Sequence, residues 1–289
     1  MKKFLILGAS GLLGSRLMQL FPNSFGTYFA NKKVESHRIN FLDLHDIESF
    51  RYMLKNIKPD CVINCSGFTN VDLCERLPEK CWKLNCWSPF MIAQECSNRS
   101  IKLIHVSTDH FLNSTEIKLK ETDVVKPSNQ YGFAKLNAEY LVRTAMDNAI
   151  VVRSNFFHFD ISLHRTFLND LIKKIKNNEK AYSFSDVFFT PVSTNFLATS
   201  LNQLIDIDFT GIINIAGSET LSKFEFHNLV LKEMKISTNL HLPVRLNSIN
   251  LIAPRPQFMA LDNGKLQKLL RLNVPSIYDM IQGELALSK

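Results

Sequence analysis

Tyr131 and Lys135 have residue types and a spacing that suit acid–base chemistry. They lie four positions apart in the segment Tyr-Gly-Phe-Ala-Lys, so a helix would place both side chains on one face. A free tyrosine has a pKa of about 10 and releases its proton too rarely for catalysis near neutral pH. A neighbouring ammonium lowers that pKa, so the pair could deliver a proton to a substrate. The same spacing also occurs by chance in surface helices, so its meaning depends on the elements that position it.

A glycine-rich segment at the start of the chain provides such a context. Apolar residues 4–7 lead into a loop with glycines at Gly8, Gly11 and Gly14, followed by an amphipathic stretch. This order is typical of a buried strand, a turn and a helix. The glycines would permit a tight turn, the approach of a pyrophosphate and close packing of the helix on the strand, and the helix N-terminus would attract the anion. The segment predicts a dinucleotide site, with an ordinary tight turn as the alternative, since its G-x-x-G-x-x-G spacing differs from G-x-G-x-x-G.

Strand-like and helix-like segments alternate from this loop to about residue 155. Further strands are expected at residues 25–29, 38–42, 60–65 and 101–107. Such alternation demands parallel strands joined by right-handed crossovers, which is a doubly wound parallel sheet of the α/β class. Because ligands bind beyond the carboxyl ends of such strands, the polar residues that follow them should lie along one edge of the sheet.

The change of pattern after residue 155 predicts two parts. We expect residues 1–155 to form a dinucleotide-binding domain, to which part of residues 180–215 returns. Residues 156–289 should form a smaller α/β lobe that binds the substrate.

The end of the second predicted strand bears on the choice of cofactor. Folds that select NAD place an acidic residue there, which binds the ribose hydroxyls. This chain has Ala-Asn-Lys-Lys at residues 30–33, and Lys32 would suit a 2′-phosphate better. The segment therefore favours NADPH, while NADH and a solvated loop without a cofactor role stay open.

Composition and charge are those of an ordinary globular protein. The chain has 289 residues, of which 45% are hydrophobic and 21% charged. No apolar run approaches the roughly 20 residues of a membrane span, and Gly8 interrupts the only stretch that faintly resembles a signal peptide. We therefore expect a cytoplasmic protein without a membrane partner.

The distribution of charged residues and of cysteines limits which ligands and partners we expect. The net charge is +7, but the basic residues are scattered, which argues against nucleic acid and favours an anionic small molecule. The six cysteines lie between Cys61 and Cys96 without a C-x-x-C pair. We expect reduced thiols, mostly in the core, and no metal site.

Several further segments resemble the motifs of a known family. They follow the family's order along nearly the whole chain, together with the glycine loop and the Tyr131–Lys135 pair. With these motifs the chain resembles the extended short-chain dehydrogenases/reductases, which have a Rossmann fold, and within them the dTDP-4-dehydrorhamnose reductases. The matching segments are residues 64–72 (Asn-Cys-Ser-Gly-Phe-Thr-Asn-Val-Asp), 107–109 (Ser-Thr-Asp), 255–256 (Arg-Pro) and 261–266 (Leu-Asp-Asn-Gly-Lys-Leu).

The resemblance implies roles for individual residues. Tyr131 would donate a proton to the substrate carbonyl as hydride arrives from the nicotinamide, Lys135 would bind the nicotinamide ribose, and Thr108 would hydrogen-bond the substrate oxygen. Together with Lys32, the residues implied for the cofactor are Gly8, Ser10, Gly11, Leu12, Leu13, Asp43, Leu44, Cys65, Ser66, Gly67, Ser107, Tyr131, Lys135 and Asn155. Those implied for the substrate are Thr69, Val71, His110 and Arg255.

Two of the substrate residues have alternatives. His110 stands where these reductases usually have tyrosine, and it could serve as an added acid or as a hydrogen-bonded structural histidine. Arg255 could contact a diphosphate, because its planar guanidinium suits phosphate, or form a structural ion pair.

The function implied is reduction of a nucleoside-diphosphate 4-keto-6-deoxysugar in polysaccharide biosynthesis. One alternative is a reductase or epimerase of another nucleotide-activated sugar, such as a heptose. The other is a non-catalytic NADP-binding regulatory subunit, like that of methionine adenosyltransferase. The sequence leaves the sugar, the nucleotide and a homodimer open.

Overall fold

A computed structural model describes residues 2–29, 38–111, 117–159 and 166–287. The strands are β1 (Phe4–Leu7), β2 (Ser24–Tyr28), β3 (Ile39–Phe41), β4 (Cys61–Asn64), β5 (Lys102–Val106), β6 (Ile150–Arg153), β7 (Phe156–Phe157), β8 (Ala181–Phe184), β9 (Phe188–Phe189), β10 (Val192–Ser193), β11 (Gly211–Asn214), β12 (Leu221–Ser222) and β13 (His241–Val244).

The helices alternate with the strands of the first half and continue to the C-terminal region. They are α1 (Leu12–Leu20), α2 (Ile47–Ile57), α3 (Val71–Arg76), α4 (Pro78–Trp82), α5 (Ser88–Ser97), α6 (Gln130–Ala145), α7 (Phe167–Lys176), α8 (Thr194–Ile205), α9 (Lys223–Glu233), α10 (Gly264–Leu270) and α11 (Ile277–Leu287). A π-helical turn (Lys83–Trp87) joins α4 to α5, and a 3-10 turn spans Leu246–Ser248.

The main sheet contains seven strands within the described ranges, in the order β11-β6-β5-β4-β1-β2-β3. The neighbouring pairs from β3 to β6 are parallel. All four residues of β1 are buried, as expected for a strand whose sheet is covered on both faces. The predicted doubly wound α/β sheet is therefore confirmed.

The chain divides into two compact units, each assembled from three segments. The first unit comprises Met1–Thr108, Pro127–Arg153 and Ala198–Ile213, and it contains the main sheet as far as β11. The second comprises Asp109–Lys126, Ser154–Leu197 and Asn214–Lys289, and its strands form two-stranded pairs: β7 with β10, β9 with β12 and β8 with β13.

Two segments depart from a simple division at residue 155. Residues 109–126 belong to the second unit, because the Leu119 N–H donates to the Ala260 carbonyl (2.9 Å) and the Asp262 N–H to the Leu119 carbonyl (2.8 Å). Residues 198–213 belong to the first unit, where the Gly211 N–H donates to the Ala149 carbonyl (2.9 Å). The cofactor and substrate roles of the two parts stay predictions.

Candidate active site

The glycine loop between β1 and α1 has a backbone that other residues would not fit. Gly8 has a φ of +84°, and its carbonyl oxygen accepts a hydrogen bond from the Gly11 N–H (3.0 Å). A Cβ atom on Gly14 would lie 2.1 Å from that same oxygen. Gly11 caps α1 without a side-chain hydrogen bond, so the loop presents a helix N-terminus. This is the geometry that binds a pyrophosphate.

The flanking residues of the loop differ in what they could offer a cofactor. Ser10 and Leu12 are partly buried, whereas the Leu13 side chain lies in the core. Leu13 could therefore reach a dinucleotide through its backbone N–H alone. The backbone of the loop, rather than the Leu13 side chain, is therefore the part that could contact a dinucleotide.

Residues 65–67 follow β4 and lie beside the glycine loop. An added Cβ on Gly8 would come within 3.0 Å of the Ser66 backbone, so the two turns are in close contact. The Ser66 N–H and hydroxyl both donate to Asn64 Oδ1, at 3.2 and 2.5 Å. Burial raises the pKa of the Cys65 thiol to about 12, so this residue stays a neutral thiol. Gly67 is exposed.

Helix α6 carries Tyr131 and Lys135, and Asn129 fixes its start by accepting the Gly132 N–H through Oδ1 (2.9 Å). Tyr131 is 9% exposed and Lys135 is 4% exposed. The Lys135 ammonium donates to the Val106 carbonyl at the end of β5 (2.7 Å). Burial lowers the pKa of Lys135 to about 8, although the negative charge of Glu139 acts to raise it. The lysine is therefore poised to change its charge near physiological pH.

A chain of buried polar groups continues from Lys135 into the sheet. Its Nζ lies 3.3 Å from Nε2 of His105, whose Nδ1 lies 3.2 Å from Nδ2 of Asn64. His105 is fully buried, and burial together with the Lys135 charge holds its pKa well below the usual value. His105 is not among the predicted site residues, although its position as a polar residue within the apolar strand β5 is a signal in the sequence.

Three thiols form the wall against which Tyr131 packs. Cys74, Cys81 and Cys86 are fully buried in one cluster with Tyr131 and Ala134. Burial raises the pKa of Cys86 to about 11, and the hydrogen bond with the Cys81 thiol, together with burial, raises the pKa of Cys74. All six cysteines of the chain are free thiols. The cysteine cluster therefore acts as apolar packing around the candidate proton donor.

A buried ion pair joins the end of β6 to α6. Arg153 donates through Nη2 to Glu139 Oε2 (2.7 Å), and the Ser107 hydroxyl donates to Glu139 Oε1 (2.5 Å). Both charged residues are nearly inaccessible. The Ser107 hydroxyl proton is thus committed to Glu139, and Thr108, the next residue, ends this segment of the first unit.

In the second unit, three predicted site residues lie together with two that were not predicted, Asp109 and Lys223. Asn155 donates to Asp109 Oδ2 (2.8 Å). Burial, together with the charges of Arg255 and Lys223, lowers the pKa of His110 to about 3. His110 is therefore a neutral imidazole near two cations. The sequence signal for Lys223 was a cation in the first turn of a helix, where the helix dipole disfavours it.

The remaining predicted residues are more dispersed. Thr69 is exposed, and Val71 begins α3 and packs partly against the thiol cluster. Asp43 Oδ1 accepts the His45 N–H (2.9 Å), and Leu44 packs partly against the main core. Lys32 lies outside the described residues. Their binding roles stay predictions.

The described part of the chain has two features that bear on metal ions and membranes as partners. It contains no group of three or more His, Cys, Asp or Glu side chains that could hold a metal ion. Over the same ranges, none of the helices combines the length and the apolar character needed to cross a membrane.

Known proteins resemble this chain over most of its length. The probable low-salt glycan biosynthesis reductase Agl14 of Haloferax volcanii is 26% identical over 282 residues, which cover 95% of this chain and 94% of that protein. The methionine adenosyltransferase 2 subunit beta of Xenopus tropicalis is 25% identical, over 93% of this chain and 82% of that protein. A solved dTDP-4-dehydrorhamnose reductase of Bacillus anthracis, in complex with NADP, has the same fold: TM-score 0.88, 22% identity and 99% coverage of both chains.

A family profile covers nearly the entire sequence. The profile of the RmlD substrate binding domain matches residues 1–285. The resemblance to dTDP-4-dehydrorhamnose reductases that the motifs predict is thereby confirmed. The chain belongs to the RmlD substrate-binding domain family.

Proposed function

We propose that the protein is an oxidoreductase that uses NADPH to reduce the keto group of a nucleotide-activated sugar. The expected substrate is a dTDP-4-keto-6-deoxysugar. The observation that carries the proposal is the buried Lys135 ammonium, which β5 holds one helical turn from Tyr131. Family membership and a relative named as a glycan biosynthesis reductase support the same reaction class.

The residues of the glycine loop fit a dinucleotide cofactor. The crowded Gly14 position and the positive φ of Gly8 maintain a loop whose backbone N–H groups can bind a pyrophosphate. The cofactor would supply the hydride. The Bacillus anthracis reductase was solved with NADP, which favours NADPH, and NADH is the alternative.

Side chains of the first unit would deliver the proton to the substrate. Tyr131 would donate its phenolic proton to the substrate oxygen, and the Lys135 ammonium would stabilise the phenolate left behind. Thr108 would hydrogen-bond the same substrate oxygen, where negative charge develops. Glu139 would act as a positioning residue, because it holds both Ser107 and Arg153.

The direct test is turnover with NADPH and a dTDP-4-keto-6-deoxysugar, followed by the loss of reduced-nicotinamide absorbance. Tyr131→Phe should lower kcat by at least about 100-fold while NADPH binding is retained, because only the proton donor is removed. Tyr140→Phe is a matched control, since Tyr140 is exposed on the same helix. An active Tyr131→Phe enzyme would contradict the mechanism.

Two alternative functions would each give an experimental result that differs from the proposed one. A reductase or epimerase of another activated sugar, such as a heptose, would give a different product by NMR. A non-catalytic regulatory subunit is favoured by the similarity to methionine adenosyltransferase 2 subunit beta. That function would give NADPH binding, co-purification with a partner enzyme and no turnover with any nucleotide-sugar. The retained Thr108, Tyr131 and Lys135 favour catalysis.

A further inference from the structure

Lys223 carries a positive charge that has no hydrogen-bond or ion-pair partner in the described ranges. Its Nζ lies over the ring of Phe189, 3.2 Å from the ring centroid. The side chain is partly exposed, yet burial lowers its pKa to about 8, although the negative charge of Asp109 acts in the opposite direction. A cation–π contact is worth about 0.5–2 kcal/mol, whereas removing an ammonium from water is far more unfavourable. The site is thus short of negative charge.

The backbone around Lys223 is rigidly held. Strand β12 pairs with β9, and the Lys223 N–H donates to the Val187 carbonyl (2.9 Å). Ser222 caps α9 in a reciprocal arrangement with Glu225. The lysine therefore extends from a fixed point across Phe189, and its position is set by the fold rather than by a surface loop.

A second cation lies in the same part of the second unit. The Phe188 N–H donates to the Gln257 carbonyl (2.7 Å), which brings the segment after Arg255 alongside β9. The charges of both Arg255 and Lys223 lower the pKa of His110, so both act on the same imidazole. His110 is neutral, and Asp109, the carboxylate that attracts Lys223, already accepts a hydrogen bond from Asn155.

We propose that Lys223 is a substrate-binding residue whose ammonium, together with Arg255, binds an anionic oxygen of the nucleotide-sugar. That oxygen belongs either to the diphosphate or to a carboxylate on the sugar. The inference rests on the proposed function, because it takes a nucleotide-sugar as the ligand. It adds a cation that the family motifs do not include.

The first arm of the test uses dTDP, inorganic pyrophosphate and thymidine as probes in calorimetric titrations. Lys223→Met should weaken the binding of dTDP and pyrophosphate by about tenfold or more and leave thymidine and NADPH binding unchanged. Lys223→Arg should retain binding, because it keeps the charge. Lys232→Met is the matched control, since Lys232 is exposed on the same helix. Thermal melts of each variant identify any loss of folding.

The second arm compares UDP-glucuronic acid with UDP-glucose, which differ at the sugar carboxylate. If the carboxylate is the partner, wild type should bind the acid more tightly than the neutral sugar, and Lys223→Met should lose this preference while its affinity for dTDP stays unchanged. If Lys223→Met folds and binds all these probes like wild type, the inference is wrong. If wild type binds no nucleoside diphosphate or nucleotide-sugar, the proposed function fails instead.

The pH dependence provides an independent readout. Binding of the anionic probe by wild type should weaken as pH rises through about 8, where Lys223 loses its proton. The charged residues that act on this cluster are Arg255 and Asp109, and its imidazoles are those of His110 and His227. Burial holds the pKa of both histidines well below 8, so neither imidazole changes charge in this range. Lys135 also titrates near this pH, but it is intact in Lys223→Met. The variant should therefore lose this step, and retention of the step would contradict the assignment.

Discussion

Lys135 Nζ lies 3.3 Å from Nε2 of His105, and hydrogen bonds on the far side of the ring determine which atom donates. The Ser66 N–H donates to Asn64 Oδ1, so the amide group of Asn64 turns its Nδ2 donor towards Nδ1 of His105. The ring proton therefore lies on Nε2 and faces the lysine. A hydrogen bond between them requires Lys135 as a neutral amine. Such a hydrogen bond would favour the neutral amine, in the same direction as the burial that lowers the lysine pKa.

We predict that His105→Gln moves the alkaline limb of the kcat profile to higher pH. In wild type, kcat should fall as pH rises through about 8, because Lys135 loses the charge that stabilises the Tyr131 phenolate. Glutamine can present a carbonyl oxygen to the ammonium, which should raise the midpoint by about one unit. The exposed His45→Gln is the control. An unchanged midpoint in His105→Gln would mean that the ring does not set the lysine pKa.

Lys135→Met should abolish turnover and stabilise the fold. The unfolded lysine has a pKa near 10.5 and the folded one about 8, so the folded state binds its proton less well and wild-type stability increases with pH between these values. Below about pH 8 the full penalty, roughly 3 kcal/mol, is present. Methionine removes the charge but leaves the Val106 carbonyl without its donor, so a net gain of about 1–3 kcal/mol is expected.

Urea unfolding at neutral pH measures that gain, with Lys55→Met on the surface of α2 as the control. A Lys135→Met protein less stable than wild type would show that the lysine contributes more by packing and hydrogen bonding than its burial costs.

Gly14→Ala should impair both stability and NADPH binding. The new Cβ would meet the Gly8 carbonyl oxygen at 2.1 Å, so α1 must move away from the loop. We expect a loss of about 1–3 kcal/mol in the free energy of unfolding, measured in urea, and weaker NADPH binding by fluorescence titration. Gly283→Ala in α11 has open space around the added atom and should be neutral or stabilising by up to about 1 kcal/mol. Equal effects at the two glycines would contradict the close-contact argument.

The acid limit of stability should depend on a buried histidine pair in the second unit. Ser183 Oγ lies 2.7 Å from His227 Nδ1 and 2.8 Å from His241 Nε2. Burial lowers the pKa of His241 to about 4, so the unfolded chain binds protons that the folded state does not as pH falls below about 6.5. When the pH is lowered from 7 to 5, His241 should therefore reduce the free energy of unfolding by about 2 kcal/mol.

His241→Gln should reduce that pH dependence by the same amount, whatever its effect on stability at pH 7. Paired urea titrations at the two pH values provide the measurement. His45→Gln is again the exposed control, and a variant that loses as much stability as wild type would exclude His241 as the source.

The sequence predicts those parts of the site that local geometry imposes. Gly8 and Gly14 identify the loop because no other residue fits there, and Tyr131 and Lys135 share a helix face by spacing alone. The partner of Lys135 could not be predicted in this way. His105 reaches it only through the packing of α6 against β5, which is a long-range property of the fold.

Two further features depend on contacts that no local pattern encodes. From the sequence alone, Lys223 is the first residue of an ordinary capped helix. Only the tertiary packing of β9 places Phe189 beneath the lysine side chain. Residues 109–126 follow a strand of the main sheet directly, yet backbone pairing with residues 260–262 assigns them to the other unit. Propensity and periodicity report only on neighbours in sequence.

The interleaved first unit has a consequence for how the protein can be made. Its edge strand β11 is encoded at residues 211–214, and the Lys102 ammonium donates to carbonyls of Leu204, Ile205 and Ile207. During translation, β6 therefore has no neighbour on its outer side until residue 214 has emerged from the ribosome. A fragment that stops at residue 155 would leave this edge of the sheet open to association with other chains. Expression of the first unit by itself thus requires a circular rearrangement or a fused copy of residues 198–214.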